Sequence, residues 1–474
     1  MTEIIVPKML EQEYSEQITY TPTVFNHPSP LFVKVSPVGG TTSPTLGISS
    51  VSTLSEFQIP SKIVNLSQSY ISCNLQIPAG TAFMNLNGNL GCIIDRIVLS
   101  TIGSNTILAD ISNVGAYLEA CDAPQTEFVD FKNKTSLTQS VTDLITGTAN
   151  FLPTSQPLAN VLPLNDIGRS NALLNPIGQV SVSGTAGDDI SVVMDNVKHI
   201  LQTGSAVDGF INVKLPLSMF KSTIMAVNKN LYFSGETLNF SIYWAPINSY
   251  AWQSTLSNPA TLTALSSPTQ IVMTNLSMYI QVEQNAYLTQ KLISKVNEEG
   301  MTLPIPVIWS SKQNITNSTQ HSITLNITKS HGNSLMWVAW SPFSQTETNS
   351  NLCKSHTTFE LSQYQTLLNQ IPILTNSPIS TSDLYLYNSY NLENSVIQSA
   401  SAYNNIFTHF DNFSGMPLCH LQDNLTKQNG IDLTRETQQY QLNAIYTPSA
   451  TRNHYIFFCC QKQLVMTRNG VMLV

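Results

Sequence analysis

Charge is what this sequence has least of. Asp, Glu, Lys and Arg together make up 11% of its 474 residues, against about 25% in ordinary domains. Arginine occurs only at Arg96, Arg169, Arg435, Arg452 and Arg468, and no cluster of lysine and arginine exists anywhere. The opening residues, MTEIIVPKMLEQEYSEQ, lean acidic. A basic arm able to neutralise phosphates is therefore missing, and no direct sequence-specific nucleic-acid binding is expected.

Long apolar runs are missing too. SLMWVAW and YIFFCC fall far short of the ~20 residues of a membrane span. No basic segment followed by an apolar core opens the chain, so no signal peptide is read. Cysteine is sparse and odd in number: Cys73, Cys92, Cys121, Cys353, Cys419, Cys459 and Cys460, with one vicinal pair and no C-x-x-C. That usage predicts reduced thiols and an intracellular product.

Concentrated chemistry is the third absence. No G-x-S-x-G elbow, no G-x-x-x-x-G-K loop and no H-E-x-x-H helix occurs. Cys353 with His356, and Cys419 with His420, each lack the second pair that a zinc site needs. His199, His409 and His454 sit beside apolar residues and read as satisfied core or interface histidines. Asp188-Asp189 lies in a turn-rich stretch and Glu298-Glu299 closes a helical pattern, so both read as solvated surface rather than a glycosidase pair. AGDDIS offers too few oxygens in register for calcium. No catalytic residue, cofactor-binding residue or metal ligand is assigned, no cofactor is implied, and the chain is not expected to be an enzyme.

What fills the space is Asn, Gln, Ser and Thr arranged on strands. In ETLNFSIYWAP, Leu238, Phe240, Ile242 and Trp244 alternate with Asn239, Ser241 and Tyr243, the period of a half-buried strand. SITLNITKS repeats it with Ile323, Leu325 and Ile327, and YISCNLQI, FINVKL, NLSMYIQVE and DLYLY follow the same rule. The outward faces are polar but uncharged. Such a surface suits packing against other copies, since free monomers keep apart by charge; a codon bias toward Asn and Ile is a bland contributing cause. Short strands between Gly, Pro, Asn and Ser clusters predict an all-β sandwich or barrel class.

Three helices are expected. ADISNVGAYLEACD puts Ile111, Val114, Tyr117 and Leu118 on one face; NAYLTQKLISKVNEEG puts Leu288, Leu292 and Val296 on one face and ends at Gly300; ELSQYQTLLNQIP is stopped by Pro372. A strand-then-helix order occurs in each half, and each half closes on a hairpin, at Ser234-Gly235 and at Asn469-Gly470. The length asks for two or three cores. The division read from it is a 1–30 N-terminal arm, a first unit at 31–248, a Ser-, Thr- and Pro-rich linker at 249–268 and a second unit at 269–474.

INVKLPLSMFKSTIMAVNKNLYFSGETLNFSIYWAP, residues 211–246, resembles the end of the first jelly roll in double jelly-roll major capsid proteins of icosahedral eukaryotic double-stranded DNA viruses, in the virophage, Polinton-like and giant-virus-related lineage. The elements that carry it are Ile211 to Leu215, Pro216-Leu217, Asn230 to Phe233, Ser234-Gly235 and Leu238 to Trp244. The resemblance implies two tandem eight-stranded antiparallel jelly rolls with short helices in loops. It also implies a major capsid protein, assembling as pseudo-hexagonal homotrimers that tile a virion shell, after synthesis in host cytoplasm or nucleus. Implied partners are further copies of itself in the homotrimer and in neighbouring capsomers, and minor capsid, penton or cement proteins, with an internal membrane left open. A minor capsid or glycan-binding β-sandwich protein shares much of the pattern, and a carbohydrate-active jelly-roll enzyme would need a carboxylate pair or His cluster that the sequence does not offer.

Overall fold

The computed structural model describes residues 28–47, 53–77, 83–86, 93–117, 200–201, 209–247, 251–255, 258–263, 270–344, 361–372, 378–380, 418–420 and 430–474. Most of the expected 1–30 arm, and the DLYLY stretch, lie outside these residues.

The all-β expectation is what the chain adopts, with every described strand pairing antiparallel. One sheet runs Pro30–Val35, Ile271–Glu283, Val64–Ile77, Gly209–Pro216, with Thr45–Leu46 added beside Ile271–Glu283. A second runs Gly39–Gly40, Thr53–Ile59, Leu238–Trp244, Ile94–Thr101, Ile107–Ser112. Their side chains meet in one core: Ile71, Leu75 and Met278 from the first, Phe57, Ile97 and Phe240 from the second.

The opening motif behaves as its period requires. Leu238, Phe240, Ile242 and Trp244 are all buried. Trp244 also satisfies its polar edge, its Nε1 donating to Ser55 Oγ at 3.0 Å, while Ser55 Oγ donates to the Thr41 carbonyl at 2.6 Å. On the outward face Asn239 and Ser241 donate to Glu56 Oε1 of the neighbouring strand at 3.5 and 3.2 Å. The turn before the strand holds Ser234 at φ 53° and Gly235 at φ 76°, the left-handed pair that a type I′ turn needs. Pro216 is the N-cap, at ψ 138°, of a 3-10 helix Leu217–Met219.

A nine-stranded sheet is built on Gln438–Thr467, which pairs with Met301–Ile327, Ser334–Ser344, Leu361–Leu368 and Gly470–Leu473. Along Tyr455–Cys460 every residue is buried. Tyr455, Phe457 and Cys459 enter the core of the first two sheets, and Ile456, Phe458 and Cys460 enter a second core with Ile323, Leu335 and Leu442. The apolar run YIFFCC is thus a strand covered on both faces, and it joins the two cores through one backbone.

Several sequence expectations are corrected. ELSQYQTLLNQIP is a strand, Leu361–Leu368, turning through Asn369 (φ 49°) and Gln370 (φ 66°) back to Ile371–Pro372; pairing to Gln438–Thr467 outweighs its helical spacing. The segment 249–268 is not a bare linker, because Ala251–Thr255 and Asn258–Thr263 pair with each other and the former with Phe83–Leu86. Ile271–Glu283, read as the opening strand of the second unit, is hydrogen-bonded into the first sheet, since alternation marks a half-buried strand without naming its partner. The C-terminal turn is Arg468-Asn469, one residue earlier than expected, with Thr467 facing Gly470.

The helices differ from one another. Ala286–Glu298 forms as read, capped by Asn285, whose side chain accepts from the Tyr287 and Leu288 amides, and is followed by Gly300 at φ 76°. Of the helix expected around Ile111–Leu118 the described part is Val114–Tyr117, and Ile111 belongs to strand Ile107–Ser112 instead. The first strand-then-helix unit therefore contains a hairpin, and the two halves do not repeat strictly.

Candidate functional site

Among the described residues no group of three or more His, Cys, Asp or Glu side chains could hold a metal, and no helix is long and apolar enough to cross a membrane. Asp188-Asp189, Cys353, His356, His199 and His409 lie outside the described residues. Cys419 and His420 lie on the short strand Leu418–His420 beside Trp337–Ala339. Glu298 and Glu299 are exposed at the end of their helix. Three features remain that do more than fill a core.

The first is an exposed ladder of amides and hydroxyls across the long antiparallel pair. Ser322 Oγ donates to Asn443 Oδ1 at 2.8 Å, Gln441 Nε2 donates to Ser322 Oγ at 3.3 Å, and Asn314 Nδ2 donates to Asn453 Oδ1 at 2.9 Å. The outward face around Leu238–Trp244 carries Glu56 and the Arg96–Asp110 ion pair, whereas on this pair the outward amides and hydroxyls read from alternation are organised before any partner arrives. They present donors and acceptors that bring no ionic desolvation cost to a contact.

The second is a buried polar cluster on the inner row of the same pair. Arg452, His454 and His321 are at most 1% exposed. His321 Nε2 donates to the Ser318 carbonyl at 2.9 Å, which leaves its Nδ1 as acceptor, so His454 Nε2–H donates to it at 2.7 Å. The Arg452 guanidinium lies 4.0 Å from the Tyr446 ring centroid, a desolvated cation–π contact. Burial, with His321 and Arg452 beside it, holds His454 well below the ordinary imidazole range. Burial is also the main cause of the lowering at His321, opposed by its bond to Ser318 and helped by Arg452. His454 is the satisfied core histidine that its apolar neighbours implied. Arg452 and His321 were not singled out, although the inner row Tyr440, Leu442, Ala444, Tyr446 carries on to Arg452 at the same parity and so marks it as buried.

The third joins distant parts of the chain. Glu236 Oε2 accepts from the Ser104 amide and hydroxyl at 2.7 and 3.1 Å, and its Oε1 accepts from the Val471 amide at 3.2 Å. One carboxylate thereby ties the Ser234-Gly235 turn to the C-terminal hairpin. Beside this body, a cleft of about 600 Å³ opens between helix Ala286–Glu298 and the edge around Ile63 and Val282.

No protein-family model matches the sequence, and no curated protein does. Solved structures of similar fold include PBCV-1 VP54 fitted into a reconstruction of the virophage Sputnik, at 9% identity over 94% of this chain and 97% of that one, TM-score 0.49. The mavirus major capsid protein is similar at 11% identity over 94% and 90%, TM-score 0.49. A chain in the cryo-EM structure of the Sputnik virophage is similar at 12% identity over 92% and 89%, TM-score 0.47.

Proposed function

We propose that this chain is a double jelly-roll major capsid subunit, working as a homotrimer that tiles an icosahedral virion shell and carrying no catalytic activity. The observation that carries the reading is the ordered, uncharged outward face of the long strands, the ladder through Asn314, Ser322, Gln441, Asn443 and Asn453. Interfaces that stay closed bury more than about 2,000 Å² and deplete charge at their centres. A chain with 11% charged residues provides flanks of that kind. Two β units side by side give each subunit two such flanks, and threefold closure uses both without leaving an open end. The doubly covered strand Tyr455–Cys460 and the Glu236 contacts with Ser104 and Val471 link the first two sheets to the nine-stranded one, a linkage that suits a tiling block.

Partners under this reading are neighbouring capsomers and minor capsid, penton or cement proteins. Negative-stain microscopy of the purified protein tests it: particles with a hexagonal outline and threefold averages are expected. Folded single chains that bind an oligosaccharide array would instead favour a glycan-binding sandwich.

A further inference from the structure

Helix Ala286–Glu298 is poorly covered by the rest of the described chain. Only Val296 is buried, while Leu288 and Leu292 are half-buried and line the cleft with Lys291 and Lys295, one face at i, i+3, i+4 and i+7. Lys229 lies across from them. The cleft's carboxylate, Glu283, is engaged: its Oε1 accepts from the Ser29 and Asn285 amides at 2.7 and 2.8 Å, and its Oε2 from Asn230 Nδ2 at 3.4 Å. What the cleft presents is an apolar floor and a lysine rim.

The chain enters at this same place. Pro28 and Pro30 line the cleft, and Glu283 pins Ser29 between them. The residues before Pro28 carry Glu3, Glu11, Glu13 and Glu16 against the single Lys8, and place Val24 and Phe25 within four residues of Pro28. We propose that the cleft is the docking site for this chain's own residues 1–27, with Val24 and Phe25 seated against Leu288 and Leu292 and the glutamates along Lys229, Lys291 and Lys295. Three extended residues span about 10 Å, as does the helix from Leu288 to Lys295 at about 1.5 Å per residue, so Phe25 reaches the floor without strain. A tether this short gives an effective concentration on the order of millimolar, which favours the chain's own segment over that of another copy. Seating Val24 and Phe25 there also gives the half-buried Leu288 and Leu292 an apolar cover.

Zero-length carboxyl-to-amine cross-linking tests this on an equal mixture of ordinary and isotopically labelled full-length chains. Links from Glu11, Glu13 or Glu16 to Lys229, Lys291 or Lys295 within one isotope are expected, and links of mixed isotope would overturn the assignment in favour of a second copy's segment. Acetylation of Lys229, Lys291 and Lys295 should run several-fold faster in a chain starting at Pro28, and a synthetic peptide of residues 1–27 should slow it again. In the full-length chain, K291E with K295E should abolish the links and speed acetylation of Lys229, which keeps the test available if the shortened chain does not fold. Equal lysine reactivity with and without the segment, or links only to other lysines, would overturn the proposal.

Discussion

Acid should loosen the long antiparallel pair Met301–Ile327 with Gln438–Thr467 through His454. In the folded chain His454 is neutral and donates to His321, whose Nδ1 is kept an acceptor by the Ser318 carbonyl. Adding a proton to His321 Nδ1 would set two donors against each other, and adding one to His454 would bury a cation beside Arg452. Both folded pKa values lie below the ordinary value of 6.5, so opened states bind protons that the closed state refuses. The sign follows: stability at this site is complete above about pH 6.5 and is lost as pH falls, at up to about 1.4 kcal/mol per unit per histidine. For His454 alone, half protonated in the opened state already at pH 6.5, the loss between pH 6.5 and 5.0 is at most about 1.6 kcal/mol, or about 16-fold in the opening equilibrium. Hydrogen exchange with mass spectrometry on peptides covering 438–467, corrected for the intrinsic pH dependence of exchange, reads this directly. His454→Gln keeps an N–H that can donate to His321 and should flatten most of the slope. Protection of these peptides that is unchanged between pH 6.5 and 5.0 in the native chain would refute the reasoning.

Phe240 is fully buried between the first two sheets, so Phe240→Ala should cost about 3–5 kcal/mol; a shift under about 1 kcal/mol in urea unfolding would mean that the two sheets do not share a tight core. Burial pushes the Cys73 and Cys460 thiols up to about 12 and raises Cys459 as well, so all three should resist alkylation in the native chain and react on denaturation. A native disulfide through any of them, seen by non-reducing mass spectrometry, would contradict this.

Local alternation made the strands readable. Leu238–Trp244 and the positive-φ turn before it follow from their own residues, as do Asn285 and Gly300 at the ends of their helix. Pairing partners were not readable. Leu361, Tyr364 and Leu368 satisfy helical spacing, yet the free edge of Gln438–Thr467 takes them as a strand. Nothing in IVMTNLSMYIQVE says that it pairs with residues 64–77, some two hundred positions earlier, and nothing near Glu236 announces Val471. The amide ladder was half legible: the polar face was evident from the period, but its cross-strand bonds depend on a register that only the long pairing fixes.

The proposed capsid subunit should close as a trimer through its weakly charged flanks. Native mass spectrometry of the purified protein at micromolar concentration tests it most directly. A species close to three times 52.2 kDa that does not exchange subunits with labelled chains is the predicted result, and a folded species of one chain mass would contradict it.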